Sequence, residues 1–101
     1  MAVTAIINFK AQPDKRDDLI EYLKGVQDGA IAAGCHSIAV HSVIGSDDAV
    51  VEVEYWDTKE AHEAFVAAAV EAGAFKPLDQ LLAGPFDVQY CVPAKRTGAI
   101  A

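Results

Sequence analysis

The order in which strand-like and helix-like segments follow one another constrains this chain most. Four segments are rich in β-branched and aromatic residues, which is typical of strands. Two longer segments carry apolar residues at helical spacing. The predicted strands cover residues 3–10, 36–43, 49–56 and 86–92, and the predicted helices cover about 14–34 and 59–72. The chain therefore has the order βαββαβ.

This order predicts an α+β fold of ferredoxin-like topology, with one antiparallel four-stranded sheet in the order 4-1-3-2. The length of 101 residues suits one domain. We expect that domain to cover residues 1–93. Residues 94–101 follow Pro93 without periodicity and are predicted to form a C-terminal tail.

Residues at the ends of the two helices predict how each begins and stops. Asp14 is predicted to cap the first helix, which ends by Gly34. Asp57 and Thr58 are both candidate caps for the second, and Asp57 with Glu60 fits a capping box. Another short helix is predicted over residues 77–82.

Both faces of the predicted sheet carry large apolar side chains. Strand three places Val51, Val53 and Tyr55 on one face and Val50 and Trp56 on the other. Strand one likewise carries Val3, Ala5, Ile7 and Phe9 on one side and Ile6 on the other. Helices in this topology cover one face only, and an exposed apolar sheet is adhesive. We therefore expect a homodimer with sheet-on-sheet packing, a dimeric α+β barrel; the alternative is a monomer with a partly apolar surface.

Charge and hydropathy argue against several partners. The net charge of −7 repels phosphate backbones, so we expect no nucleic-acid partner. No apolar run approaches the roughly 20 residues that a membrane-spanning helix needs. The first residues lack the features of a signal peptide. We expect a cytoplasmic protein, without a membrane partner, in which Cys35 and Cys91 are free thiols.

The sequence carries no established cofactor or metal motif. The glycine-rich nucleotide-binding patterns, the zinc-protease HExxH pattern and the GxSxG nucleophile pattern do not occur. The three histidines, His36, His41 and His62, do not cluster at ligand spacing. We therefore predict no cofactor and no metal.

The third strand holds the most informative polar residues. Glu52, Glu54 and Trp56 alternate onto one face of a strand that is internal to the predicted sheet. Buried carboxylates are costly unless they are paired, hydrated or protonated. They either pair with a lysine or arginine at the open end of the sheet or line a polar pocket. Two nearby carboxylates also raise one pKa, as a general base near neutral pH requires.

Four further residues are candidates with two interpretations each. Trp56 is either core or one wall of a pocket for a flat aromatic molecule. Asn8, polar among apolar neighbours, either grips a carbonyl or phenol or bonds a neighbouring strand. His62 either titrates in a pocket or is a half-exposed helix residue. Tyr90 is interpreted as core or interface with its hydroxyl at a wet edge.

The run EYWDTKEAH at residues 54–62, in which an acidic-x-Trp strand end leads into a capped helix, resembles the antibiotic biosynthesis monooxygenase family. The helix-starting break QPDK at 12–15, the segment AGCHS at 33–37 and LLAGP at 81–85 agree with it. The resemblance spans roughly residues 3–92.

This resemblance implies dimers of ferredoxin-like subunits with a pocket between sheet and helices. Characterised members oxidise phenolic or anthrone-type polyketides with molecular oxygen and without metal or flavin. Their strand-three Trp corresponds to Trp56, a pocket Asn falls at Glu52, a helix Tyr falls at His62 and a basic residue falls near Lys76. Only the Trp is retained. A haem-degrading branch places a His or Trp at or near Phe65, and phenylalanine cannot ligate iron.

The favoured function is a cofactor-independent monooxygenase that oxidises a small aromatic or phenolic substrate. Glu52 or His62 would be the catalytic base, and Asn8 or Lys76 would stabilise the oxyanion. The predicted substrate-binding residues are Asn8, Glu54, Trp56, Phe65 and Lys76. The alternatives are a non-catalytic or stress-associated dimer that binds a small hydrophobic molecule, and a lactone isomerase-like enzyme that transfers protons.

Overall fold

The computed structural model describes residues 2–94. It contains four strands and four helices. In chain order they are β1 (Val3–Lys10), α1 (Arg16–Gly25), α2 (Gln27–Ala32), β2 (Ser37–Ser42), β3 (Ala49–Trp56), α3 (Lys59–Glu71), α4 (Leu78–Leu81) and β4 (Asp87–Cys91). Most of the predicted tail, from residue 95 onward, lies outside the described residues.

The four strands form one antiparallel sheet in the order β2-β3-β1-β4. This is the predicted order read from the other edge, and the ferredoxin-like α+β fold is confirmed. The long strands β1 and β3 lie in the middle and pair along eight residues, from Val3 opposite Trp56 to Lys10 opposite Ala49. β3 is therefore an internal strand, with a neighbouring strand on each side.

The hydrophobic core lies between the sheet and the helices. Alternation along β1 buries every second residue beneath the helices, and these residues are Val3, Ala5, Ile7 and Phe9. Leu19 and Leu23 of α1 lie four residues apart and meet this layer from above. The period of two in the strands and the period of 3.6 in the helix thus determine which side chains meet between the sheet and the helices.

The opposite face of the sheet, here called the open face, is apolar at its centre and polar at its edges. The central strands contribute Ile6, Val51 and Val53, which are partly buried, and Tyr55, which is 49% exposed. The flanking positions carry polar side chains, among them His41, Asn8 and Asp87 in a single row across the sheet. The face is therefore less uniformly apolar than the sequence alone indicated.

The predicted start of the first helix and its continuity are wrong, whereas it ends before Gly34 as predicted. Asp14 adopts a left-handed conformation with φ of 64° in the turn before α1, and the residue that precedes the helix, Lys15, makes no side-chain capping bond. The helical region also divides at Val26 into α1 and α2. A residue with a left-handed backbone cannot adopt the extended conformation of a helix cap. Asp14 is therefore not the cap, and the helix begins at Arg16.

The second long helix begins as one of the two alternatives predicted. The Thr58 hydroxyl accepts a hydrogen bond from the Ala61 amide at 3.0 Å, so Thr58 is the cap of α3. Asp57 instead contacts His36 Nε2 at 2.7 Å and ties the end of β3 to the start of β2. This cap fixes the first turns of α3, from which His62 reaches the sheet.

Candidate active site

Two rows of side chains cross the helix face of the sheet. Register places Ile38, Glu54, Ala5 and Tyr90 in one row, and Val40, Glu52, Ile7 and Val88 in the next. Glu52 and Glu54 face the helices because alternation along β3 turns them to the same side as the buried Val50 and Trp56. The two carboxyl groups therefore enter the core from one internal strand, only two residues apart.

The Glu54 carboxylate is held by the last residue of its own strand. Trp56 Nε1 donates a hydrogen bond to Glu54 Oε1 at 2.8 Å, and the indole is completely buried. The same oxygen lies 3.7 Å from His62 Nε2. Glu54 is thus partnered by an indole and an imidazole, and neither a lysine nor an arginine is among these two neighbours. Of the two predicted alternatives, the contacts of Glu54 within residues 2–94 favour the polar pocket over pairing with a lysine or arginine.

His62 is buried, whereas a half-exposed helix residue was one of the two predictions. Its side chain is 3% exposed. Its Nδ1 lies 2.6 Å from the Tyr90 hydroxyl oxygen. The ring makes edge contacts with the rings of Trp56 and Tyr90, each at a centroid distance of 5.4 Å. Burial lowers the pKa of His62, and the charges of Glu54 and Glu63 oppose that shift.

Glu52 is the carboxyl group with one oxygen that has no hydrogen-bond partner among residues 2–94. It is 4% exposed, and its Oε2 atom makes no hydrogen bond. Burial raises its pKa to about 9, and the hydrogen-bonding and charge of Glu54 beside it add to the rise. At neutral pH Glu52 is therefore a carboxylic acid.

These groups face an apolar cleft between the sheet and the helices. The cleft contains about 450 Å³ of empty space, part of it open to solvent. Only about 40 Å³ of this space is available to water molecules. Its lining residues are Ile7, Phe9, Leu23, Val26, Ala30, Ile38, Glu52, Glu54, His62, Phe65, Val66, Phe75, Leu78 and Phe86. The polar lining is therefore confined to Glu52, Glu54 and His62.

The narrow space sets a condition on any ligand. A cleft with space for only a few water molecules is too small for a molecule of several rings. A multi-ring substrate would have to displace side chains at the mouth of the cleft. Phe65, Phe75 and Phe86 line it in a chain of ring contacts with centroid distances of 6.4 Å. These rings offer apolar surface to a flat ligand.

The structure brings together four of the seven predicted site residues. Glu52, Glu54, His62 and Phe65 line the cleft. Trp56 lies beneath it, fully buried against His62 and Phe65, and does not form a cleft wall.

Asn8 and Lys76 are not brought to this cleft. Asn8 is exposed on the open face, because it lies one residue out of phase with the buried residues of β1. Lys76 is exposed after α3, and its side chain lies along Gly73. Neither is a lining residue, so the predicted stabilisation of an oxyanion by Asn8 or Lys76 does not fit this geometry.

Tyr90 is the site residue whose role sequence reasoning missed. The alternation of β4 shows that Tyr90 shares a face with Val88, but only the sheet register reveals that it lies in the row of Glu54. Burial raises the pKa of its hydroxyl, and Glu63, Glu54 and Glu60 contribute to the rise.

The described part of the chain has neither a metal-binding cluster nor a membrane-spanning helix. Within residues 2–94, no three His, Cys, Asp or Glu side chains converge in a way that could hold a metal ion. No helix in the described part of the chain is long and apolar enough to cross a membrane.

The fold and the cleft define the general class of this protein. It is a ferredoxin-like α+β domain with a buried acidic cluster in an apolar cleft between sheet and helices. The antibiotic biosynthesis monooxygenase family model matches residues 2–74. The chain belongs to that family. No curated protein matches the chain.

Solved structures agree with this fold. A candidate antibiotic biosynthesis monooxygenase from Bordetella bronchiseptica is 22% identical, with a TM-score of 0.82 over 92% of this chain and 97% of that one. A Mycobacterium tuberculosis protein is 20% identical, with a TM-score of 0.77 over 97% and 100% of the two chains. A further candidate monooxygenase, from Chloroflexus aurantiacus, is 25% identical, with a TM-score of 0.72 over 97% and 100%.

Proposed function

We propose that this protein is a cofactor-independent monooxygenase that oxidises a small, electron-rich aromatic or phenolic molecule with molecular oxygen. The observation that carries the proposal is the Glu52–Glu54 pair at the floor of an apolar cleft. One carboxyl group holds a proton at neutral pH, and its neighbour is held by an indole. Family membership supports the reaction class.

The two carboxyl groups take different roles. Glu54 is the base, because its charge is stabilised by the Trp56 N–H and lies near the His62 ring. Glu52 is a neutral acid at neutral pH, so it donates a hydrogen bond from its unpartnered side to a substrate oxygen. A carboxylic acid that is kept neutral by an apolar site stabilises developing negative charge in this way. This assignment replaces Glu52 and His62 as the predicted bases.

Anthrone illustrates the reaction class; as a three-ring molecule, it enters the cleft only when side chains at its mouth move aside. Glu54 removes a proton from the ring methylene, and the resulting anion transfers one electron to oxygen. The radical and superoxide combine to form a carbon–oxygen bond. The peroxide then takes a proton and loses water as its O–O bond breaks and the remaining methylene proton leaves. One anthrone and one dioxygen give one anthraquinone and one water, and the base is regenerated.

The test is oxygen uptake and quinone formation with anthrone or a hydroquinone. We expect Glu54→Gln to lower the rate at least about 100-fold, because general-base catalysis contributes roughly 10²–10⁴-fold. Glu21→Gln makes the same chemical change on the exposed side of α1 and should leave the rate unchanged. If Glu54→Gln retains the native rate in a folded protein, Glu54 is not the base.

A proton-transfer enzyme of the lactone isomerase kind is the second candidate function. A neutral carboxylic acid beside a carboxylate base also suits the movement of a proton between two atoms of one substrate, without oxygen. Turnover of an unsaturated lactone under anaerobic conditions would favour it. Tight binding of a small hydrophobic molecule, without turnover in either atmosphere, would instead favour the non-catalytic binding protein.

We also propose that two copies pack through their open faces. The partly buried Ile6, Val51 and Val53 at the centre of that face support this arrangement. The open face is opposite the cleft, so such a dimer leaves each cleft accessible.

A further inference from the structure

A short hydrogen bond joins Tyr90 to His62 across two elements. Its two heavy atoms are 2.6 Å apart, and it joins edge strand β4 to helix α3. The other nitrogen of the same ring faces Glu54 Oε1 at 3.7 Å. The imidazole therefore lies between a phenol and a carboxylate, and it contacts each through a different nitrogen.

The neighbours of the ring determine which nitrogen carries the proton. A neutral imidazole has one N–H and one acceptor nitrogen. With the N–H at Nδ1, the lone pair of Nε2 would face the Glu54 carboxylate inside the core, and the two would repel each other. With the N–H at Nε2, that N–H points to Glu54, and Nδ1 accepts the Tyr90 O–H. The second arrangement satisfies both contacts.

The sheet register explains why the ring has room there. Ala5 lies opposite Glu54 on one side and opposite Tyr90 on the other. Glu54 and Tyr90 are thus two strands apart, at about 10 Å between backbones. The small side chain of the buried Ala5 separates them, and α3 passes over β1 and β3. The imidazole lies between the ends of the two side chains, 2.6 Å from the Tyr90 hydroxyl and 3.7 Å from Glu54 Oε1, whereas a larger residue at position 5 would crowd this space.

We propose that Tyr90 is a positioning residue that holds His62 as the Nε2–H tautomer with that N–H directed at the Glu54 carboxylate. This inference deepens the proposed function and rests on Glu54 as its base. The arrangement follows the general pattern in which a third group orients a base. The 3.7 Å separation is longer than a hydrogen bond, as catalytic contacts in empty sites often are.

The test of the tautomer is ¹⁵N NMR of the histidine ring nitrogens at neutral pH, without substrate. We expect His62 to show a protonated Nε2 and an unprotonated Nδ1. Tyr90→Phe keeps the ring and removes the O–H, and it should convert His62 to a mixture of tautomers. Tyr55→Phe makes the same change on the open face and should leave the His62 signals unchanged. A native Nδ1–H tautomer, or unchanged signals in Tyr90→Phe, would overturn the proposal.

A second variant tests the position of the ring while keeping the phenol. Ala5→Val adds two methyl groups between Glu54 and Tyr90, and it should displace the imidazole and produce the same mixed tautomer. An unaltered His62 spectrum in a folded Ala5→Val protein would contradict the role given to Ala5 and to the fixed ring.

The kinetic readout separates this inference from the proposed function. With any substrate that the enzyme turns over, Tyr90→Phe should lower kcat roughly tenfold, about the value of one hydrogen bond, and leave KM unchanged. A rise in KM alone would overturn the positioning role. If no aromatic substrate is oxidised, the proposed function fails, but the NMR result still decides the tautomer.

Discussion

At the scale of the residue, the chemistry of the cleft comes from two glutamates that share one environment but differ in their hydrogen bonds. Glu54 has the Trp56 N–H as a donor, whereas no donor among residues 2–94 reaches the Glu52 Oε2 atom. Burial raises the pKa of Glu52 to about 9, and the hydrogen bonding and charge of Glu54 beside it add to the rise. Glu52 is therefore the member of the pair that holds a proton at neutral pH.

Replacing Glu52 with Gln should change how stability depends on pH. Folded Glu52 keeps its proton up to about pH 9, whereas the unfolded carboxyl loses it near its ordinary value of 4.5. Between these values the unfolded state binds fewer protons, so the free energy of unfolding falls as pH rises, by at most about 1.4 kcal/mol per unit. Glu52→Gln should lose this decline and be the more stable protein at pH 8.

Urea denaturation of both proteins from pH 5 to pH 9 measures the difference directly. Glu21→Gln serves as the control, since Glu21 is exposed on α1. Parallel stability curves for Glu52→Gln and the native protein would mean that Glu52 is ionised in the fold at neutral pH.

Sequence alone predicted part of this site. The alternation of Glu52, Glu54 and Trp56 was enough to place them on one face of an internal strand. It was not enough to show that Trp56 would be the partner of Glu54, because an i, i+2 side-chain bond depends on rotamers that packing decides. Tyr90 depends on register between strands that are distant in sequence, and a single sequence carries no signal for that register.

At the scale of the element, α3 carries His62 and Phe65 to the cleft, and its first turn fixes where they lie. Thr58 caps this helix, and the cap follows directly after the last residues of β3. The position of His62, four residues after the cap, therefore depends on a bond formed at the junction between strand and helix.

Thr58→Ala should destabilise the protein by about 1 kcal/mol, because it removes the acceptor for the Ala61 amide. Thr58→Ser keeps the hydroxyl and should cost much less. Thermal unfolding of the two variants measures the contrast. Equal midpoints for Thr58→Ala and Thr58→Ser would show that the hydroxyl contributes nothing to the start of α3.

The strands and α3 were predictable as elements, since their patterns are strong and local. The first helical region was harder. Asp14 has the chemistry of a cap, but the turn that contains it takes a left-handed conformation, and Lys15 precedes the helix. The division at Val26 follows Gly25, which weakens a helix because it has no side chain. The helical spacing of Leu19 and Leu23 gives no sign of this break.

At the scale of the whole molecule, the two faces of the sheet differ in what covers them and in composition. The helix face builds the cleft, and the open face carries a partly buried apolar centre around Val53. An apolar centre with a polar rim is the usual composition of a protein interface. The order of elements in the sequence is enough to predict the fold class. The polar rim depends on the register, which aligns residues from all four strands.

Val53→Lys should convert a dimer into a monomer, because a charge at the centre of the open face would lose its water on association. Sedimentation at micromolar concentration should give twice the chain mass for the native protein and the single-chain mass for the variant. Ile44→Lys changes a fully exposed residue of the β2–β3 turn and should remain dimeric. A monomeric native protein would contradict sheet-on-sheet packing.

The central claim is that Glu52 keeps its proton at neutral pH beside Glu54, which makes the cleft a site for proton transfer. ¹³C NMR of the glutamate side-chain carboxyl carbons measures this state directly. We predict one signal with the shift of a protonated carboxyl at pH 7, which titrates near pH 9 and is absent from Glu52→Gln. If every glutamate signal instead titrates below pH 6, the cleft holds two ordinary carboxylates and the account is wrong.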